Sequence, residues 1–274
     1  MKQISLIPLS VLLLGMFIAG SDAHPGRRFE VVVVNGQLAV HGYISTGPSD
    51  DDDGGNPRPY FNALHDHWLN FPGAVEAATA ELPSFDVYSP NDSFVGAGSA
   101  ETLQGADLTL TLQNAFKWTS PATSGPVLLE QLDAAVDPVI TIERTIGAVT
   151  ESISTESGGA LTLASNIAST GADDLDLEYS IAAEPSGIIH ALEWVLSTSK
   201  PGIADSEKIY TFLSPDRDPD GPGGNDPSAL VGLHHPSLYV ESQFGIPIPE
   251  PYTLALLGFG LASLVLARRG NGRP

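Results

Sequence analysis

Apolar and polar residues alternate along much of the chain. Leu108, Leu110 and Leu112 are separated by Thr109 and Thr111, and Leu175, Leu177, Tyr179 and Ile181 by Asp176, Glu178 and Ser180. A period of two gives a strand one apolar and one wet face, as an antiparallel sheet packed on one side requires. Residues 30–34 (Glu-Val-Val-Val-Val) and 37–41 (Gln-Leu-Ala-Val-His) flank Asn35-Gly36. Both turn residues tolerate positive φ, so the spacing predicts a hairpin closed by a two-residue type I′ turn. Further strands are predicted over 139–143, 149–155, 161–167, 187–196 and 208–213, separated by clusters of Gly, Ser, Pro and Asp. One short helix is predicted over 74–82, rich in Ala and Glu and preceded by Pro72-Gly73. No internal repeat points to a solenoid or propeller. Many short strands with regular turn signals predict an all-β fold, an antiparallel β-sandwich or jelly roll.

Two apolar stretches do not alternate, and they lie at the two ends. Met1-Lys2 precedes the apolar run 7–20, and Ser21-Asp22-Ala23 places small residues at the −3 and −1 positions of a signal-peptidase site. Residues 1–23 are therefore expected to be a signal peptide, cut between Ala23 and His24. At the other end a proline-stiffened linker, 245–251, leads into an apolar segment, 252–267, and a basic stop, 268–274. That segment as a helix covers ~24 Å against a hydrocarbon core of ~30 Å, a marginal transmembrane helix suited to a temporary anchor. Arg268 and Arg269 would hold its end at the cytoplasmic face. Between these ends, 24–244 is expected to form a single ectodomain.

The tail resembles the PEP-CTERM sorting signal of Gram-negative bacteria. The resemblance rests on Pro249-Glu250-Pro251, a leucine-rich helix carrying Gly258 and Gly260, and Arg268-Arg269, in that order. It implies export by the general secretory route, transient lodging in the inner membrane, and recognition by an exosortase that cleaves near the Pro-Glu-Pro motif. The mature product would reach the cell surface or an exopolysaccharide matrix. The partners so implied are signal peptidase, exosortase, the inner membrane and surface polysaccharide.

Charge sharpens this picture. The chain has 33 acidic and 12 basic residues, a net charge of −21. Without 1–23 and everything after Pro251 it keeps 32 acids and 8 bases, because Lys2, Arg268, Arg269 and Arg273 are lost with only Asp22. Nucleic acid is held by Lys and Arg that neutralise phosphates, so no nucleic-acid partner is expected. There is no cysteine, which excludes disulfides, thiolate zinc sites and cysteine nucleophiles.

Two loops gather the acid. Asp50-Asp51-Asp52-Asp53 precedes Gly54-Gly55, and Asp216-Arg217-Asp218-Pro219-Asp220-Gly221 sets carboxylates at alternate positions before a glycine. Alternating carboxylates on a turning loop aim hard oxygens at one centre, which is the logic of a calcium loop. The second loop resembles the first half of the Asp-x-Asp-x-Asp-Gly calcium loop at Asp216, Asp218 and Asp220. Pro227 stands where an EF-hand has its bidentate Glu, leaving a shorter calcium loop or a solvated turn. Asp51 and Asp53 form a weaker candidate pair for the same Ca²⁺ chemistry.

On a strand, His65 and His67 project from one face about 7 Å apart and with a third ligand could bind zinc or copper. His190 alternates with Leu192, Trp194 and Leu196, as a core histidine would, and His234-His235 before Pro236 reads as a turn. Glu193 beside Trp194 is either a carboxylate next to a sugar-stacking platform or a rim charge next to a core aromatic. No nucleophile elbow, His-Glu-x-x-His, Walker loop or dinucleotide fingerprint is present. The expectation is an exported, non-enzymatic structural, adhesive or binding protein with calcium-ordered loops. The alternative is a carbohydrate-binding or carbohydrate-active sandwich.

Overall fold

The structure, a computed structural model, describes residues 27–44, 61–68, 78–80, 83–91, 98–119, 126–182, 188–215 and 234–245. The expected signal peptide, both acidic loops and the C-terminal tail lie outside the described residues. The first two strands, β1 (Arg27–Val34) and β2 (Gln37–Ile44), form the expected hairpin, with Asn35 at φ 53° and Gly36 at φ 79°. Then come β3 (Ala63–Trp68), β4 (Ala78–Ala80), β5 (Ser84–Tyr88), a single helical turn α1 (Ala100–Leu103), and the long β6 (Leu108–Trp118). They are followed by β7 (Glu130–Gln131), β8 (Ile140–Ile146), β9 (Val149–Ser154), β10 (Gly159–Ala164), β11 (Gly171–Leu175) and β12 (Glu178–Ile181). The last strands are β13 (Ile189–Thr198) and β14 (Ile209–Pro215), and the helix α2 (His234–Phe244) closes the described chain.

These strands build three sheets, two of them mixed and the third antiparallel. A first sheet runs β11-β5-β1-β2, a central six-stranded sheet runs β10-β6-β13-β14-β3 with β7 on β6, and a third runs β4-β12-β8-β9. Two pairs, β1 with β5 and β14 with β3, are parallel, which corrects the expectation of antiparallel pairing throughout. The strands that local pattern predicts are joined by hairpins, whereas parallel partners need a long crossover that leaves no local signal. The predicted helix over 74–82 is also corrected, since Ala78–Ala80 is a strand paired with β12. Helix propensity is a weak prior that pairing overrides.

One continuous core is drawn from all three sheets. Phe29, Val31, Leu38 and Phe85 come from the first, Leu64, Trp68, Leu192 and Trp194 from the central sheet, and Ile140, Ile142 and Tyr179 from the third. Phe29 and Phe85 stack at a tilt, with ring centroids 5.2 Å apart. The predicted run 175–181 is divided between two strands in different sheets, with Asp174 just before the break at φ 51°. Leu175 pairs with β5 and Tyr179 with β8, and all four alternating apolar residues still enter the same core.

In the central sheet the pairing of β6 and β13 shifts register between Glu193 and Trp194, leaving Gln113 opposite neither. This bulge switches the core-facing set of β6 from Leu108, Leu110 and Leu112 to Ala115. The opposite face of the same sheet carries Ala63, Ile189, Ala191 and Phe212, and α2 covers it with Val240 and Phe244.

Gly171 at φ 110° has the Val87 carbonyl oxygen where a Cβ would stand. Strain of 1–3 kcal/mol from the backbone alone adds to that overlap. Gly171→Ala is therefore expected to cost about 3 kcal/mol, read as a lowered urea midpoint of the purified protein.

Candidate functional site

Three polar clusters stand out on this framework. The first lies where α2 meets the central sheet. His65 is in the middle of β3, and its parity turns it to the helix-covered face, away from the core that takes Leu64 and Trp68. Its Nδ1 hydrogen-bonds Glu241 Oε2, and the same oxygen accepts the His65 backbone N–H at 3.1 Å. Both side chains are buried. His65 is thus engaged by a carboxylate 176 residues away in sequence. His67 is on the same strand, but its side chain lies outside the described residues. Among the described residues no group of three His, Asp or Glu is placed to hold a metal.

The second cluster centres on Glu193, on the same outer face. Its Oε1 accepts from Asn114 Nδ2 at 2.7 Å, and its Oε2 accepts from Lys208 Nζ and the Tyr210 hydroxyl, each at 3.0 Å. Burial pulls the Glu193 carboxyl up, but those three donors outweigh it and hold the carboxyl below its usual range. Burial and the neighbouring carboxylate push the Tyr210 phenol up. Glu193 is therefore an ionised acceptor with its donors supplied. A general acid needs the reverse, a carboxyl kept protonated by its surroundings. Trp194 points the other way, fully into the core, where its Nε1–H donates to Thr211 Oγ1 at 3.1 Å. The two residues stand on opposite faces and form no joint sugar platform, as the period of a strand requires.

The third cluster is on the first sheet. Arg28 Nη1 lies 3.2 Å from Asp86 Oδ1 and 3.1 Å from Asp174 Oδ1, while its Nη2 lies 3.1 Å from Asp176 Oδ1. The Tyr88 hydroxyl donates to Asp86 Oδ2 at 2.9 Å. Three carboxylates converge here on a guanidinium, which takes the position of a cation. Across the neighbouring hairpin, buried His41 Nδ1 lies 3.3 Å from Glu30 Oε2. Sequence reasoning missed this pair although the signal was there. A two-residue turn at 35–36 fixes the register, and that register sets Glu30 opposite His41.

His190 is a buried core residue, as its alternation predicted. It accepts a hydrogen bond from Trp68 Nε1 at 3.3 Å, and burial pushes its imidazole down to about 4. His234 and His235 begin α2 instead of forming a turn. Pro236 falls in the first turn, where a missing N–H breaks no helical bond.

Asp51, Asp53, Asp216, Asp218 and Asp220 lie outside the described residues, as do Ala23, His24, Arg268 and Arg269. Among the described residues no helix is long and apolar enough to cross a membrane, and the predicted span 252–267 is outside them. Gly245 is the last described residue before the tail. Its N–H donates to the Glu241 carbonyl at 2.8 Å, and a Cβ there would overlap the outer edge of the Phe61 ring.

Comparison with known proteins bears on that tail alone. No curated protein and no solved structure matches the chain. Residues 247–269 match the family model of the PEP-CTERM protein-sorting motif, spanning Pro249-Glu250-Pro251 and reaching Arg269. The C-terminal tail is a PEP-CTERM sorting motif, and it marks the chain as an exported protein processed at the membrane by an exosortase.

Proposed function

We propose that the β-rich body is the cargo of this sorting tail, a non-enzymatic structural, adhesive or binding β-sandwich delivered to the cell surface or extracellular matrix of a Gram-negative bacterium. The observation that carries the reading is the sorting motif at 247–269, shortly after the last described helix. The remainder of the route is a signal peptide removed after Ala23, a transient span over 252–267 and release into a polysaccharide-rich surface. The clusters around Glu193, Arg28 and His65 support a binding or structural role over catalysis, because each polar group named in them already serves another.

Calcium is the cofactor this reading assigns, held by Asp216, Asp218 and Asp220, with Asp51 and Asp53 as a second, lesser set. The chain's excess of acid over base supports it, since like charges on one loop repel until a cation orders them. Saturating Ca²⁺ at a hundredfold over its Kd adds about 2.7 kcal/mol. The melting temperature of the purified protein should then rise by about 5–10 °C over an EGTA-treated sample. Equal melting in both conditions removes calcium from the proposal. A glycan array tests the carbohydrate-binding alternative, and turnover of any arrayed glycan would replace the non-enzymatic reading.

A further inference from the structure

A sheet ends in strands whose outward N–H and C=O groups have no ladder partner, and an unprotected edge is a template for pairing with another chain. Most edges of this fold are blunted. On β2 the N–H groups of Leu38 and Gly42 donate to the carbonyls of Ala204 and Phe61. On β3 the His65 N–H is taken by Glu241, and on β10 the Thr162 N–H is taken by Glu151 Oε2 at 2.5 Å. The pairing of β11 is broken by a register shift beside Asp174, while β4 and β7 are three and two residues long.

Among the described residues β9 has none of these devices. Its sequence, Val-Thr-Glu-Ser-Ile-Ser, contains no Lys, Arg, Pro or Gly, and it pairs with β8 without a register shift. Its one charge is turned aside, because both Glu151 oxygens accept from Thr162. The two-residue turn at Gly147-Ala148 makes Ile146 and Val149 a hydrogen-bonded pair, so alternation aims the N–H and C=O of Thr150 and Ser152 away from β8. The Ser154 carbonyl follows the same parity and accepts the Gly158 N–H outside the β8 ladder. Thr150 and Ser152 are exposed, and Val149 is 63% exposed.

We infer that the β9 edge docks a second copy of this chain, paired antiparallel through β9 itself. A twofold contact needs only a surface that complements its own image, and an open strand edge is such a surface. The third sheets of two copies, each ordered β4-β12-β8-β9, would then join at β9 into one continuous sheet. A twofold axis at Thr150 or Ser152 sets hydroxyl side chains opposite one another between reciprocal backbone hydrogen bonds, whereas an axis at Glu151 would oppose two carboxylates. With its carboxylate turned aside, the edge offers no charge by which to select a foreign peptide. A copy of β9 brings the same neutral Thr and Ser in register. This pairing does not depend on the sorting role of the tail.

The test is sedimentation of the purified protein from low to high micromolar concentration in about 0.5 M salt, where repulsion between two acidic bodies is screened within a few ångströms. The average mass should climb from one chain towards two as concentration rises. Thr150→Lys guards the edge with a charge, and Ser152→Pro removes an outward donor. Each should weaken the dimer at least about tenfold, and Thr150→Lys should leave the melting temperature in dilute solution unchanged. The mass of a single chain at every concentration overturns the inference. A dimer that both variants leave intact overturns it too, because the contact then lies on another surface.

Discussion

Replacing Trp68 by alanine is expected to lower the melting temperature by about 15 °C, a loss of roughly 5 kcal/mol. Trp68 ends β3, is completely buried, and belongs to the core shared by the three sheets. Truncating a buried Trp costs about 3–5 kcal/mol through lost transfer energy and the cavity left behind. A second loss adds to this. Its indole N–H donates to His190 Nδ1, with the rings edge to face at 5.8 Å, and the alanine variant leaves that buried nitrogen with its donor gone. An orphaned buried acceptor costs a further 1–3 kcal/mol. Trp68→Phe keeps most of the volume and loses the donor, so it should fall between the natural protein and the alanine variant. Equal melting of the phenylalanine and alanine variants would mean that ring volume contributes nothing there.

Acidification is expected to destabilise the protein by roughly 3 kcal/mol between pH 6.5 and pH 4, through His190. In the folded protein burial holds this imidazole down at about 4, against 6.5 for the free side chain. Asp137 pulls it up and Lys117 pushes it down, so the two partly cancel. Between those values the unfolded chain takes up the proton and the folded chain does not. The stabilisation is therefore complete above pH 6.5 and drains away as the pH falls towards 4. His190→Gln should flatten the dependence of the urea midpoint on pH across this window while leaving other groups to titrate as before. Trp68→Ala should flatten it as well, because a proton on Nδ1 no longer meets an opposing N–H. If neither variant changes the slope, His190 is not its source.

What the sequence made legible was local. The β1–β2 hairpin follows from Asn35-Gly36, and the wet and dry faces of β6 from its leucines, because the signal and its structural partner lie within a few residues. Features that depend on distant partners were hidden. Nothing near His65 announces Glu241, and nothing in β3 announces a parallel strand at 209–215. Ala78–Ala80 was misread because alanine favours a helix when no partner strand is known. Of the two readings of Glu193 beside Trp194, the core aromatic is the one the fold bears out, and neighbours on a strand face opposite ways whatever the fold. The charged loops, the most conspicuous chemistry in the sequence, lie outside the described residues, and the polar clusters among the described residues are built from other side chains.

The parallel pairing of β3 with β14 also has a bearing on timing. Synthesis and export deliver the chain from its N-terminus, so β3 arrives early and waits for residues 69–208 before its partner appears. Throughout that interval its backbone donors and acceptors are open to any other passing strand. The elements that cover it, β14 and α2, come last, immediately ahead of the sorting motif. Completion of the central sheet and arrival of the tail at the membrane are thus nearly simultaneous events, and a chain interrupted before residue 209 would expose a bare sheet edge.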